Sequence, residues 1–467
     1  MDGPIALAES TKRWAARAAP KNLLPGPSVP FPNTRGCATM AAKIHVERMM
    51  HRSSIAVAGE SAASYALIKL IPSGLGGASK SMGLNLALVL DMSGSMYEED
   101  GTSISRLKRV QDAALAAIQK LKPDDTLTIV AFAHNALIVL PLTPLSEKEK
   151  IEDAIRNIEM SDVDPGGTAM NDGMKLALDE IEKSAGPGKL SQIVVLTDGE
   201  TSGEQDCRVL AERAHKSKIH LTLMGVGIDW KANLIKDLAK ISEGKWYYID
   251  VNQAAEAERI FVEEFESLAA TGFMNVEMHI KPMKDIKIKR IRQVVPEIKE
   301  LTTTEPEERH IVGPLGTLQK DQTARYVLDL SLPKRPDGKY VIAQMEITYE
   351  VEAGTRESTG PIPIEMTYTA AGHGYVNAEV MKHIDEVQIF ELNKNLQVAI
   401  ASENKEEVQR VAEQIEAKGQ LMGPRAAKKT MLARQVLQEL NAGGRVSKKT
   451  QLAMEDSARM AEEMPSG

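Results

Sequence analysis

Two hydroxyls and a carboxylate lie close together in the segment Asp91-Met92-Ser93-Gly94-Ser95, which directly follows an apolar run over Leu84–Leu90. The apolar run predicts a buried strand, so the acid and the hydroxyls would leave it on one tight turn. Carboxylate and hydroxyl oxygens are hard ligands, and they suit Mg²⁺ or Mn²⁺ better than zinc. Taken alone, the segment also fits a strand-to-helix turn whose hydroxyls only cap the helix.

Two further segments carry matching chemistry. Gly166-Gly167-Thr168 is a glycine-rich loop with a hydroxyl before a predicted helix, and Thr197-Asp198 ends the apolar run Val194–Leu196. In a doubly wound sheet, sites form outside the carboxyl ends of the strands, where the strand order reverses. We therefore expect the strands at 84–90 and 192–196 to be neighbours. That arrangement would gather five side chains into one divalent-cation site: Asp91, Ser93, Ser95, Thr168 and Asp198.

The elements that would position this site alternate between apolar strands and amphipathic helices over residues 84–250. This alternation predicts a mainly parallel sheet covered on both faces. The runs at 126–132 and 136–140 are separated by three residues and predict a hairpin with one antiparallel edge strand. The other predicted strands are Leu84–Leu90, Gln192–Leu196, Ile219–Val226 and Trp246–Ile249. The predicted helices are Ile104–Leu121, Glu147–Ile158, Ala169–Lys183, Gln205–Lys216 and Ala232–Ile241.

The flanking sequence has a different character. Residues 43–70 and 272–370 show short alternating segments, which predict an antiparallel β-sandwich. Because strands precede and follow the α/β segment, we predict that the α/β domain is inserted into the sandwich. Helical patterns follow from residue 375. The predicted boundaries are a disordered leader at 1–40, sandwich strands at 41–81, the α/β domain at 82–270, the rest of the sandwich at 271–372, and a helical region at 373–467.

The ordered set Asp-x-Ser-Gly-Ser, Gly-Gly-Thr and Thr-Asp-Gly resembles the von Willebrand factor type A (VWA) domain and its metal-ion-dependent adhesion site (MIDAS). The resemblance covers about residues 82–270, and the flanks look loosely like those of bacterial intracellular VWA proteins. It implies that Ser93, Ser95 and Thr168 are hydroxyl ligands of Mg²⁺ or Mn²⁺, with Asp91 and Asp198 as the acids. It also implies that a partner protein's Glu or Asp completes the metal shell. In integrin β-type relatives, acids at the positions of Glu98 and Glu99 bind a second cation, but this chain has Glu there instead of Asp, and a solvated acidic loop is the expectation.

These features favour a non-enzymatic, cation-dependent protein-binding module that acts as an intracellular scaffold or adaptor. Metal-assisted catalysis would need a general base beside the cation. His134 and Glu200 are the candidates, and both are expected to be solvated loop residues. The alternative, which also comes from the resemblance, is a partner subunit of an AAA+ ATPase of the MoxR or chelatase type. The chain itself carries no Walker motif, so the ATPase would be a separate protein.

The composition of the chain excludes several further classes of function. The chain has 467 residues and a net charge of −8, with 57 Lys and Arg against 65 Asp and Glu, so a nucleic-acid binder is not expected. Its two cysteines, Cys37 and Cys207, do not support a disulfide framework or a cysteine zinc site. No apolar stretch approaches the ~18 residues of a membrane span. A cytoplasmic location is the simplest prediction, with residues 1–39 as a leader or a basic, acid-poor transit peptide.

Overall fold

The computed structural model describes residues 43–57, 62–73, 83–99, 103–185, 189–201, 203–228, 230–250, 254–352 and 355–460. The predicted leader lies outside these ranges. Within them, the first three strands are β1 (Lys43–Met50), β2 (Ile55–Ala56) and β3 (Ala62–Ser73).

The α/β domain is built on one six-stranded sheet. Its strands are β4 (Gly83–Asp91), β5 (Thr126–Phe132), β6 (Ala136–Pro144), β7 (Lys189–Thr197), β8 (Ile219–Val226) and β9 (Lys245–Ile249). The strand order is β6-β5-β4-β7-β8-β9, and every pairing is parallel except that of the edge strand β6. The predicted hairpin and the predicted neighbours β4 and β7 are therefore both present. Because both faces are covered, β4 is buried over nearly its whole length.

Six helices cover this sheet. They are α1 (Arg106–Ile118), α2 (Lys148–Arg156), α3 (Met170–Glu182), α4 (Glu204–Lys216), α5 (Ala232–Ile241) and α6 (Ala254–Ala269). Apolar side chains of α1, α2 and α6 form a core on one face, and those of α3, α4 and α5 form a core on the other. Helix α6 was not predicted from the sequence. Its Phe261, Phe265 and Leu268 are buried at helical spacing, and they pack into the core that α1 also lines.

The sandwich is made of two antiparallel sheets, with one short parallel pairing at an edge. Its later strands are β10 (Thr271–Pro282), β11 (Lys287–Val295), β12 (Lys299–Glu300), β13 (Thr304–Glu307), β14 (His310–Gln319), β15 (Ala324–Leu332), β16 (Gly338–Glu352), β17 (Thr355–Ser358) and β18 (Ile362–Thr369). One sheet has the order β1-β3-β15-β11-β12, and the other has β13-β14-β10-β16-β18-β2. Strand β3 pairs with β15 along its length, with Leu67 opposite Val327. Strands from before and after the α/β domain thus share one sheet, which confirms the predicted insertion.

At the carboxyl end of the α/β domain, α6 leads into the sandwich almost without a linker. Helix α6 ends at Ala269, β10 begins at Thr271, and the carbonyl of Ala270 accepts a hydrogen bond from Lys320 N at 2.8 Å. Near this junction Glu264 is buried, with an exposed fraction of 1%. Its carboxylate accepts hydrogen bonds from Lys245 Nζ and Tyr247 at 2.8 Å, Thr222 at 2.9 Å and Gln192 at 3.0 Å. The end of the sheet that faces the sandwich is therefore closed by a satisfied polar network.

Four helices follow the sandwich: α7 (Ala378–Ala401), α8 (Lys405–Met422), α9 (Ala427–Gly443) and α10 (Lys448–Arg459). They share an apolar core, as their amphipathic patterns predicted. Helix α10 also returns to the other two parts of the chain. Arg459 contacts Glu297 of the sandwich at 2.9 Å and donates to the carbonyl of Trp246 in β9 at 2.6 Å. None of the helices in the described ranges is long and apolar enough to cross a membrane.

Candidate metal centre

Two acids lie at the carboxyl ends of the central strands. Asp91 is the last residue of β4, and Asp198 directly follows β7. The two strands are parallel and in register, with Leu90 opposite Leu196, so both acids emerge at the same edge of the sheet. Both are fully buried, with exposed fractions of 0%. This edge is the one where the strand order reverses, as the sequence predicted.

The turn after β4 directs two hydroxyls towards Asp198. Asp91 Oδ1 accepts a hydrogen bond from the backbone N–H of Ser93 at 2.9 Å, and the chain then forms a 3₁₀ turn over Gly94–Tyr97. The Ser95 hydroxyl donates to Asp198 Oδ1 at 2.7 Å. The Ser93 hydroxyl lies 3.2 Å from that of Ser95 and 3.5 Å from Asp198 Oδ1. Two of the predicted hydroxyl oxygens thus converge on the Asp198 carboxylate.

The glycine-rich loop brings Thr168 to the same place. The carbonyl of Pro165 accepts a hydrogen bond from Gly94 N at 3.2 Å, which joins this loop to the serine turn. Gly199, next to Asp198, lies so close that a Cβ built on it would be 3.3 Å from Thr168 Oγ1. All five predicted residues therefore lie at one edge, four in a hydrogen-bonded cluster and Thr168 against its rim. We call Asp91, Ser93, Ser95, Thr168 and Asp198 the five-residue cluster.

The charge of Asp91 is poorly compensated. The pKa of Asp91 is raised to about 6, mainly by burial and to a smaller extent by the charge of Asp198, while hydrogen bonds from the Thr197 hydroxyl and from the Ser93 side chain and N–H lower it. The hydrogen bonds that Asp91 accepts come from neutral donors, Thr197 Oγ1 at 2.6 Å and Ser93 N at 2.9 Å. An anion in such surroundings is stabilised by a nearby cation.

A cation that sequence reasoning missed does contact Asp198. Arg106 Nη1 lies 2.6 Å from Asp198 Oδ2, and Arg106 Nη2 lies 3.7 Å from a carboxylate oxygen of Glu98. Arg106 is the first residue of α1, and the sequence offers only its place after the serine turn as a signal. The packing of α1 on one face of the sheet brings the guanidinium to the acid.

The other side chains considered from the sequence lie around the cluster without belonging to it, and a Cβ built on Gly167, next to Thr168, would be 3.4 Å from His134 Nδ1. His134 and Glu200 are exposed, as predicted, and Glu200 lies 3.9 Å from Lys231. Glu98 and Glu99 are exposed too. A second cation at Glu98 and Glu99 stays a hypothesis, because Glu98 faces Arg106 and the Glu99 backbone bridges to Ser105.

The donor set fits a small hard cation. In an octahedral shell with bonds of about 2.1 Å, neighbouring oxygens are about 3.0 Å apart. The hydroxyl and carboxylate separations of 2.7, 3.2 and 3.5 Å bracket that value. Within the described ranges, no group of three or more His, Cys, Asp and Glu side chains could hold a metal ion. A cation at this edge would therefore depend on the hydroxyls as well as the two acids.

Comparison with known proteins gives a consistent result. Residues 86–200 match the family model of the von Willebrand factor type A domain. An uncharacterized protein of Synechocystis sp. is 33% identical over 288 residues, which is 60% of this chain and 65% of that protein. The uncharacterized protein YfbK of Escherichia coli is 25% identical over 202 residues, 42% of this chain and 33% of that protein. The chain thus spans less than two thirds of the length of these relatives.

Two solved structures share the fold over almost the whole chain. A von Willebrand factor type A protein from Catenulispora acidiphila has a TM-score of 0.74 at 15% identity, covering 90% of this chain and 97% of that one. The ArnB paralog VWA2 from Sulfolobus acidocaldarius has a TM-score of 0.52 at 15% identity, covering 90% and 98%. The matched segment spans β4, β7 and the serine turn, so residues 86–200 of this chain form a von Willebrand factor type A domain.

Proposed function

We propose that this protein is a non-enzymatic binding module that captures an acidic residue of a partner protein through a divalent cation. The five-residue cluster would hold Mg²⁺ or Mn²⁺, with the Ser93, Ser95 and Thr168 hydroxyls and the Asp91 and Asp198 carboxylates as direct or water-mediated ligands. The VWA family supplies protein-interaction modules, and divalent-cation binding at this position is common in the family.

One observation carries the proposal: two fully buried acids and two hydroxyls converge at the switch point of the sheet. A merely structural turn does not require a buried acid whose pKa is raised to about 6. Two carboxylates nearly neutralise a divalent ion, whereas hydroxyls add no charge. The ion would therefore keep an attraction for one more anion.

The surroundings support binding over catalysis. A general base has to reach the reacting proton within hydrogen-bond distance or through one water. His134 and Glu200 are exposed, and within the described ranges neither side chain forms a hydrogen bond with the five-residue cluster, although the His134 ring lies beside Gly167. The cluster also shares Asp198 with a guanidinium, which is a poor proton acceptor.

Metal binding by the full chain is the first test. Mn²⁺ titrations followed by electron paramagnetic resonance should show one saturable site in the wild-type protein. Asp91→Ala should weaken binding by at least about 100-fold, because it removes one of two acids from the shell. Asp112→Ala is the matched control, since Asp112 is a half-exposed acid on α1 that pairs with Lys108. Absence of saturable Mn²⁺ binding in the wild-type protein would overturn the proposal.

Partner capture is the second test. Proteins retained by the immobilised wild-type chain with Mg²⁺ and released by EDTA should be lost with Asp91→Ala and kept with Asp112→Ala. Replacing the captured protein's acidic residues one at a time should then identify a single Glu or Asp that binding requires. A partner retained only when ATP is present would instead identify this chain as the companion of a separate AAA+ ATPase.

A further inference from the structure

The five-residue cluster has a positively charged neighbour, the guanidinium of Arg106. Asp198 uses its two oxygens differently: Oδ1 accepts from Ser95 and faces Ser93, while Oδ2 bonds to Arg106 Nη1 at 2.6 Å. The Arg106 side chain is 15% exposed and Asp198 is buried, so water screens this ion pair weakly. A positive charge is therefore built into the predicted cation site.

The position of the Arg106 backbone is fixed by the capped first turn of α1. Arg106 opens α1, and the Ser105 side chain caps this helix by accepting from Lys108 N at 3.2 Å. On the solvent side, the partner of the guanidinium within the described ranges is the exposed Glu98, at 3.7 Å. Arg106 Nε is buried without a hydrogen-bond partner. The guanidinium is thus fixed towards Asp198, while its other donors are incompletely used.

We propose that Arg106 is a positioning residue that acts as an internal counter-cation and lowers the affinity of the site for divalent metal. This inference rests on the proposed function. The guanidinium neutralises part of the charge that a divalent ion would need, and it repels that ion at short range. It also orients the Asp198 carboxylate so that Oδ1 faces the serines. Arg106 therefore keeps the site formed without metal and makes metal binding reversible.

The test compares Mn²⁺ affinities of full-length variants by electron paramagnetic resonance and calorimetry. Arg106→Gln and Arg106→Met remove the charge, and each should bind Mn²⁺ about tenfold or more tightly than the wild-type protein. Arg106→Lys keeps the charge and should bind Mn²⁺ as the wild-type protein does. Lys108→Gln is the matched control, because it removes one charge two residues further along α1, where Lys108 pairs with Asp112.

The outcomes separate this inference from the proposed function. If Arg106 only holds Asp198 in place, the neutral variants bind Mn²⁺ equally or more weakly, and the inference is wrong. Tighter binding in Lys108→Gln would also overturn it, because net charge alone would then explain the effect. If the wild-type protein and all variants show no saturable Mn²⁺ binding, the proposed function itself fails. Thermal unfolding of each variant shows whether it is folded, and the two neutral substitutions give independent readings.

Discussion

The two ends of the α/β sheet treat a buried carboxylate in opposite ways. At the end that faces the sandwich, Glu264 contacts the ammonium of Lys245 and three further donors. Burial alone would raise the pKa of Glu264, but the Lys245 charge and these hydrogen bonds hold that pKa below its usual value. At the other end, Asp91 accepts only neutral donors, and its pKa is raised to about 6.

The charge of Glu264 is compensated by groups of the protein itself, whereas the charge of Asp91 would be stabilised by a bound cation. The Glu264 network is complete within the protein, so ionised Glu264 stabilises the folded state. Ionised Asp91 is costly there, and the cost would fall if a cation were added. Buried acids that are left undercompensated at a strand end are therefore better indicators of a site than buried acids in general.

The largest expected effect concerns the sandwich-facing end. Glu264→Ala should lower the free energy of unfolding by about 2–4 kcal/mol, because it leaves Gln192, Thr222 and Tyr247 without their acceptor. Chemical denaturation measures this loss. The neighbouring Glu263→Ala is the control: Glu263 is 57% exposed and forms a surface ion pair with Arg259, so its removal should matter little. Equal losses in both variants would show that Glu264 is not the supporting acid described above.

A smaller change in the free energy of unfolding is expected at the metal centre, where a substitution should increase stability. Asp91→Asn should raise the unfolding free energy of the metal-free protein by about 1–3 kcal/mol, because it removes an undercompensated buried charge. Mg²⁺ at 100 times its Kd should stabilise the wild-type protein by about 2.7 kcal/mol and leave Asp91→Asn unaffected. Denaturation with and without Mg²⁺ measures both.

The control for this pair of measurements is Asp125→Asn. Asp125 is also buried, but it lies at the opposite end of the sheet, where its carboxylate accepts from Leu84 N and Lys122 N at 2.8 Å. Burial raises the pKa of Asp125 as well, so this variant also removes a buried carboxylate, but away from the five-residue cluster. It should therefore keep the full Mg²⁺ gain. If Mg²⁺ stabilised Asp91→Asn as well, the ion would be acting elsewhere.

The smallest effect is the pH dependence, at most about 1.4 kcal/mol per pH unit for each group. The pKa of Asp91 is raised from 3.8, so the metal-free folded state binds this proton more tightly than the unfolded state. Stability contributed by Asp91 therefore increases as the pH falls from about 6 towards 3.8. The pKa of Glu264 is lowered from 4.5, so its contribution is present above pH 4.5 and is lost as the pH falls through its folded-state pKa.

Denaturation at several pH values should thus show two opposite trends. Between pH 6 and 4.5, metal-free wild-type protein should gain stability relative to Asp91→Asn. Below pH 4.5 it should lose stability relative to Glu264→Gln. Parallel pH profiles for wild type and Asp91→Asn would mean that Asp91 is compensated in solution.

Much of the architecture follows from local sequence. The continuous apolar run of β4 and the alternation of strands and helices predicted a parallel sheet, and alternating segments on both sides predicted the insertion. Helix α6 was missed although Phe261, Phe265 and Leu268 have helical spacing, because β10 follows at once and no clear stop signal separates them. The return of α10 to Trp246 and Glu297 could not be predicted, because an amphipathic pattern does not say which surface it covers.

The gathering of the five-residue cluster was predictable because strand ends and topology fix where its members lie. Their role as metal ligands remains a proposal. Arg106 could not be found in the same way, because its side chain reaches Asp198 only through the packing of α1. Local patterns therefore predict ligands on strand ends better than they predict the charges that modulate them.

The near absence of a linker between α6 and β10 has a mechanical consequence. A load applied by a partner at the serine turn passes through the α/β domain into a helix that ends at Ala269 and a strand that begins at Thr271. Helix α10 adds a second fastening, because Arg459 contacts both β9 and Glu297. Because one residue separates α6 from β10, tension on the α/β domain would act directly on β10. This strand lies inside its sheet, between β14 and β16.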